Sequence, residues 1–208
     1  DPVGAKLIKS MDNKDGGNIT GVSDLSPIDS HMALVKTIVP NATRLGVIFN
    51  PGESNSATLV ALVKQYAPAH GMEVVEAGAT KTSDVLAAAR SLVGKVDAIY
   101  VPTDNTVVSA FEAVIKVAQE SKIPVIAADT DSVKRGAIAA QGFNYYDLGR
   151  QTGKMVAAIL NGQKAGDIPA EGVSKTELYL NPEAAASMGV ILSDELIKSA
   201  KEVVKTGS

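Results

Sequence analysis

The stretch RLGVIFNPGESNS, from Arg44 to Ser56, decides the fold. Its first half is apolar without alternation, which is how a strand buried on both faces reads. Asn50-Pro51-Gly52 then breaks the strand, since proline lacks the donor a ladder needs and glycine admits a turn. A helical pattern follows over 57–70 and stops at Gly71. Strand, polar tip and helix together make half of a βαβ unit.

The theme recurs downstream. A strand is predicted over 73–77, then a helix capped by Thr82 or Ser83 and running to Val93. Next come a strand over 98–101, the tip Pro102-Thr103-Asp104-Asn105 and a helix over 107–120. A strand over 125–128 ends at Asp129-Thr130-Asp131-Ser132, before a short helix and a strand over 137–140. Strands alternating with helices of this length imply crossover connections and a parallel sheet, so the fold class is α/β with a Rossmann-like lobe. The rhythm changes after Gly142. One long helix is expected over 145–160, closed by Asn161-Gly162, and a linker over 163–172 leads to an isolated strand over 176–180. Asn181 or Pro182 opens a short helix, and Ser193 caps a last helix over 194–205. Residues 6–11 read as a helical remnant, followed by a loop over 12–18.

Composition agrees with buried strands under Ala-rich helices: 45% of the 208 residues are hydrophobic but only 4% aromatic, and tryptophan is absent. A formal net charge of −3, without a basic run, offers nothing to a polyanion, so a nucleic-acid partner is not expected. There is no cysteine, which removes disulfides, thiolate metal sites and thiol nucleophiles together. Apolar runs such as 98–101 and 125–128 are far too short to span a bilayer.

Three tips gather small polar residues at the carboxyl edge of the sheet, where open α/β sheets bind ligands. Ser54, Asn55 and Ser56 stand at a helix N-terminus, whose free N–H groups and dipole favour a carboxylate. Thr103, Asp104 and Asn105 form the second tip, and Asp129, in the third, is placed to balance an ammonium. The same residues also serve as helix caps and turn formers. Three tips on neighbouring strands favour one cleft holding all of them.

Other chemistries fit less well. Asp129-Thr130-Asp131-Ser132-Val133 after an apolar strand resembles the nucleophile motif of Mg²⁺-dependent haloacid-dehalogenase-type phosphatases. The downstream paired carboxylates such a site needs are missing, and helix capping accounts better for the pattern. His31 and His70 lack a partner at metal-ligand spacing and read as surface helix residues. No dinucleotide fingerprint, P-loop or G-x-S-x-G elbow is present. The five methionines are scattered like gap fillers, and Tyr145-Tyr146 read as residues that stack on a ligand or pack between lobes, packing being preferred. No catalytic residue, metal site or cofactor is expected.

Four segments carry a family resemblance: NITGVSD at 18–24, GVIFNPGESNS at 46–56, VDAIYVPTDN at 96–105 and GFNYYDLGRQTG at 142–153. Together they resemble the ABC-transporter substrate-binding proteins that include bacterial tryptophan- and phenylalanine-binding lipoproteins. The resemblance implies the type I periplasmic-binding-protein fold, two lobes that close on a solute about a hinge. It implies a small polar solute, an amino acid with the aromatic ones as the finer reading, an ABC permease as partner and an extracytoplasmic location. Ser23 and Asp24 in the first segment and Asn144 in the last join the expected ligand contacts. The ligand-binding lobe is placed at 22–142 with 173–208 packing onto it, and 1–21 and 143–172 are read as remnants of the other lobe and hinge crossings. First-lobe strands, a signal sequence and a lipid-anchored cysteine are expected ahead of Asp1, so the chain reads as a fragment or a processed form. The same fold used as a sensor or effector-binding domain is the alternative.

Overall fold

Strands apolar along their whole length need cover on both faces, and the helices between them supply it. The structure is a computed structural model and describes residues 2–3, 6–12 and 17–205. In chain order the elements are α1 (Ile28–Ile38), β1 (Arg44–Phe49), α2 (Ser54–Tyr66), β2 (Glu73–Gly78), α3 (Val85–Ser91), β3 (Ala98–Val101), α4 (Asn105–Ser109) and α5 (Phe111–Ser121). They continue with β4 (Val125–Ala127), α6 (Asp131–Lys134), β5 (Ala139–Gly142), α7 (Tyr145–Leu160), β6 (Glu177–Leu180), α8 (Pro182–Ser187), α9 (Asp194–Ser199) and β7 (Glu202–Val203).

The strands form one sheet in the order β2-β1-β3-β4-β5-β6-β7. Every pair from β2 to β5 is parallel, β6 runs antiparallel to β5, and β7 is parallel to β6. β3 and β4 are buried throughout and β1 beyond its first residue, whereas the edge strand β2 is mostly open. On one side α1 packs against α2 and β5; α3 packs against α5 and β2. The helices meet the sheet through residues at helical spacing, such as Met32, Val35 and Ile38 of α1 and Phe111, Val114, Ile115 and Ala118 of α5. Met32, Met72, Met155 and Met188 are buried, as gap fillers should be.

Contacts divide the chain into two units. The larger comprises Ser26–Gly142 and Glu177–Ser208 and holds the whole sheet. The smaller comprises Asp1–Leu25 and Phe143–Thr176. Within it, α7 buries only Met155, and a single bridge joins Val22 to Glu171. Thr20 Oγ1 adds a bond to the Ile168 carbonyl at 2.9 Å.

Several local expectations are corrected. Residues 6–11 form turns and bends rather than a helix, and the loop expected over 12–18 falls largely outside the described residues. Helix α1 has no bounds predicted from sequence, although His31 reads as a helix residue. The helix expected over 107–120 is two, α4 and α5, separated at Ala110; Ser109 Oγ donates back to the Asn105 carbonyl at 2.6 Å, a bond that bends helices. Thr82 and Ser83 cap nothing and instead lie in a 3₁₀ turn, Thr82–Asp84. The strand near 176–180 is not isolated, since β6 pairs along β5 from Ala139↔Leu180 to Gly142↔Glu177. The last helix stops at Ser199 because the following backbone joins the sheet, with Lys201 N donating to Leu178 O and Val204 N to Leu180 O, each at 2.8 Å.

Candidate ligand-binding site

The strand order reverses direction between β1 and β3, and their carboxyl ends flank the crevice that a doubly wound sheet offers to ligands. The tips there are tied together by two carboxylates acting in opposite directions. Asp104, from the β3 tip, has no exposed surface. Its Oδ1 accepts from Val107 N at 2.8 Å and so caps α4. Its Oδ2 reaches the β1 tip, accepting from Asn50 N at 2.6 Å and Ser56 Oγ at 2.5 Å. Glu53 makes the reverse crossing. Its Oε1 accepts from Thr106 N at 3.0 Å and Oγ1 at 2.7 Å, and its Oε2 from Asn105 N at 3.1 Å and Nδ2 at 2.8 Å. Partial burial pushes the Glu53 carboxyl up, but the hydrogen bonds from Thr106 and Asn105 outweigh it and hold the group at about 2. Asn50 completes the join, donating from Nδ2 to Thr106 Oγ1 at 2.9 Å, while Asn55 Nδ2 donates to Thr103 O at 3.0 Å.

The electrostatic consequence concerns the helix ends. Glu53 and Asp104 neutralise the start of α4, whereas α2 has no side-chain cap and no acidic residue in its first turn. Ser54 and Asn55 stand exposed there. The α2 start lacks a side-chain cap, but Glu53 is its N-cap residue and Asp104 accepts from Ser56 in its first turn, so both helix starts stand beside a carboxylate.

The structure brings Ser54, Asn55, Ser56, Thr103, Asp104 and Asn105 together, in different roles. Ser56 and Asp104 are buried against each other, and the Asp104 oxygens are enclosed by protein donors. Asp104 is therefore a structural hub rather than the exposed cap its sequence position suggests. Asp129, half-buried at the end of β4, accepts from Ser132 N at 2.9 Å and Ser132 Oγ at 2.7 Å. Asp131, its partner in the phosphatase-like pattern, is exposed in α6, and no cluster of metal-ligating side chains exists among the described residues.

Ser23, Asp24 and Asn144 belong to the smaller unit. Ser23 is buried and donates from N to Glu171 O at 2.8 Å, while Asp24 is exposed. Both border a cleft of about 310 Å³ lined also by Leu7, Ile8, Ile19 and Val22. Asn144 caps α7, accepting from Tyr146 N at 2.8 Å, and borders a separate cleft of about 460 Å³ with Arg150 and Lys154. Tyr145 and Tyr146, expected to pack, are 60% and 71% exposed, with Tyr145 edge-on to Phe143 and Arg150 over the Tyr146 ring.

His31 is the clearest miss. Expected on the surface, it is 1% exposed, with Nε2 2.6 Å from Gln141 O and Nδ1 2.6 Å from Tyr100 Oη. Its spacing from Ile28 and Val35 places it on the buried stripe of α1, a signal readable in the sequence once the helix is recognised. Glu53 carried no such signal, since its partners lie on another strand's tip.

A mostly parallel sheet with polar tips at its switch point, together with a smaller unit formed by residues ahead of α1 and between β5 and β6, places the chain in the type I periplasmic-binding-protein class. The chain belongs to the ABC transporter substrate-binding protein family, whose model matches residues 1–204. It is 44% identical to the tyrosine-binding protein of Clostridioides difficile across 97% of this chain and 61% of that one. A conserved domain protein from Vibrio cholerae superposes with a TM-score of 0.90 at 43% identity, covering 98% of this chain and 69% of its own. A Streptococcus pneumoniae ABC domain in complex with L-Trp gives a TM-score of 0.88 at 35% identity, again covering 98% and 69%. The chain thus spans about three fifths of the curated relative.

Proposed function

We propose that this chain acts as the solute-binding component of an ABC importer and that its solute is an aromatic amino acid. The observation that carries this reading is the agreement of relatives: one named for tyrosine and one holding L-Trp are each similar to nearly the whole chain. The geometry of the larger unit supports it. At the start of α2 the exposed Ser54 and Asn55 take the solute carboxylate, with Ser56 behind them held by Asp104; Asp129 takes the ammonium, and Thr103 and Asn105 border the site. Asp104 and Glu53 hold the two tips in register without touching the solute. Ser23, Asp24 and Asn144 remain candidate contacts of the smaller unit. The two units serve as the two lobes of the binding protein, and the protein works outside the cytoplasm, delivering solute to a membrane permease. Among the described residues no helix is long and apolar enough to cross a membrane.

Calorimetric titration with L-tyrosine and L-tryptophan tests the proposal, after removal of co-purified ligand by unfolding and refolding. Saturable binding of at least one, with no response to D-ribose, is expected. Absence of binding to both amino acids rejects the aromatic reading. Turnover of a generic phosphate ester with Mg²⁺, lost in Asp129→Asn, would replace it by the phosphatase.

A further inference from the structure

The chain passes between its two units three times, after Leu25, after Gly142 and after Thr176. The roots of all three passages lie in the larger unit, and the structure ties them together around one side chain. The second and third roots are adjacent because Gly142 pairs with Glu177 at the end of the β5–β6 ladder. The first root leads directly into α1, which packs on β5. From the first turn of α1, His31 reaches the Gln141 carbonyl, one residue before the second passage.

The protonation pattern of this contact follows from its partners. A carbonyl only accepts, so His31 Nε2 carries the hydrogen. Burial lowers the His31 pKa to about 4, despite the raising effect of the Gln141 bond, so the ring is neutral and Nδ1 is an acceptor. Tyr100 must then donate. Its burial, with the Asp129 carboxylate as a second cause, raises its pKa and keeps the hydroxyl protonated. One directed chain results, Tyr100 Oη–H to His31 Nδ1 and His31 Nε2–H to Gln141 O, running from the middle of β3 to the rim of β5.

We infer that His31 is a positioning residue for solute binding, locking the roots of the three inter-unit passages to the β3 strand that carries the Thr103–Asn105 tip. This rests on the functional reading above, because the residues those passages carry, Ser23 and Asp24 just before the first root and Asn144 just after the second, are candidate solute contacts. His31 acts through the backbone that places them. A histidine suits this role because one ring both accepts from the tyrosine and donates to the carbonyl.

Amide hydrogen exchange on the chain, without added ligand, tests the inference. His31→Phe fills the space but removes both bonds, leaving the Gln141 carbonyl and the Tyr100 hydroxyl without this partner. Exchange at 142–144 and 176–177 is expected to rise by roughly tenfold or more, with the β1 and β3 amides unchanged. His31→Gln, which keeps an amide N–H donor, should restore most of the protection. Should His31→Phe fail to fold, Tyr100→Phe deletes one oxygen from the same chain and is expected to raise exchange at the same roots by roughly threefold. Unchanged exchange at the roots, or an equal rise throughout the sheet, overturns the positioning role. L-Tyrosine titration of the wild type and His31→Phe follows. A weakening of roughly fivefold that His31→Gln rescues supports the role, and equal affinities overturn it. A wild type that binds neither aromatic amino acid overturns the proposed function, while the exchange result still decides what His31 does.

Discussion

Asp104 and Asp129 end neighbouring strands and look alike in sequence, yet their surroundings assign them opposite liabilities. Removing the Asp104 carboxylate strands a backbone N–H on each of two tips and a buried hydroxyl, so Asp104→Ala is expected to cost about 3 kcal/mol or more in urea unfolding. Asp129 is half-buried and accepts from Ser132 N and Oγ, so Asp129→Ala should cost about 1 kcal/mol, the net worth of a hydrogen bond. With Asp129 in the proposed role of partner to a solute ammonium, its effect belongs to binding, and Asp129→Ala is expected to weaken L-tyrosine binding by roughly 30-fold or more. Wild-type affinity in Asp129→Ala would remove the ammonium role, and wild-type stability in Asp104→Ala would remove the hub. The capping role of Asp104 was legible from its place three residues ahead of Val107. Its second role, gripping Asn50 and Ser56, was not, because it joins positions about fifty residues apart.

At the scale of elements, the turn between α6 and β5 shows how a connection aims a strand. Gly136 has φ +111°, and a Cβ there would sit 2.9 Å from Ile115 Cγ2 on α5. Conformation and contact therefore both demand glycine. Gly71, which ends the turn after α2, also has positive φ, +69°, but nothing lies within 4 Å of its missing Cβ. Gly136→Ala is expected to cost about 3 kcal/mol and Gly71→Ala about 1 kcal/mol, compared by denaturant midpoints. Equal losses would show that the approach of Ile115 is not tight. The parallel strands and α7 were readable because their patterns are local. The ends of α4 and α9 were not: Ser109 bends one, and pairing with β6 recruits the residues after Ser199 into a strand that helix periodicity alone would continue.

For the molecule as a whole, acid stability should fall in two windows. His31 has a folded pKa of about 4, below the ordinary 6.5, so the unfolded chain binds its proton first. The stability linked to neutral His31 is complete above pH 6.5 and lost as pH falls through 4, about 3 kcal/mol in all. Glu53 and Asp97 are held at about 2, below the ordinary 4.5 and 3.8; burial raises both, and hydrogen bonds from Thr106 and Asn105, and from Thr43 and Arg44, outweigh it. Their contributions persist above the ordinary carboxylate range and disappear as pH falls toward 2. Urea midpoints measured from pH 7 to 3 should show a first decline between 6.5 and 4 that His31→Phe flattens. A wild-type midpoint constant across that range would refute the buried, neutral histidine.

By itself the sequence determined the layered α/β architecture, the parallel strands and the placement of polar tips at their carboxyl ends. It could do so because burial on both faces imposes an apolar run, and a helix imposes its period, within a few residues of each other. Tertiary structure alone decided which tip residues face inward, which helix start stays uncapped and where His31 points. Those outcomes depend on donors and acceptors that meet only after the strands are ordered in the sheet. Buried polar groups must find partners wherever the fold supplies them: Asp104 on the β1 tip, His31 on β3 and β5, while the half-buried Glu53 meets its own on the β3 tip.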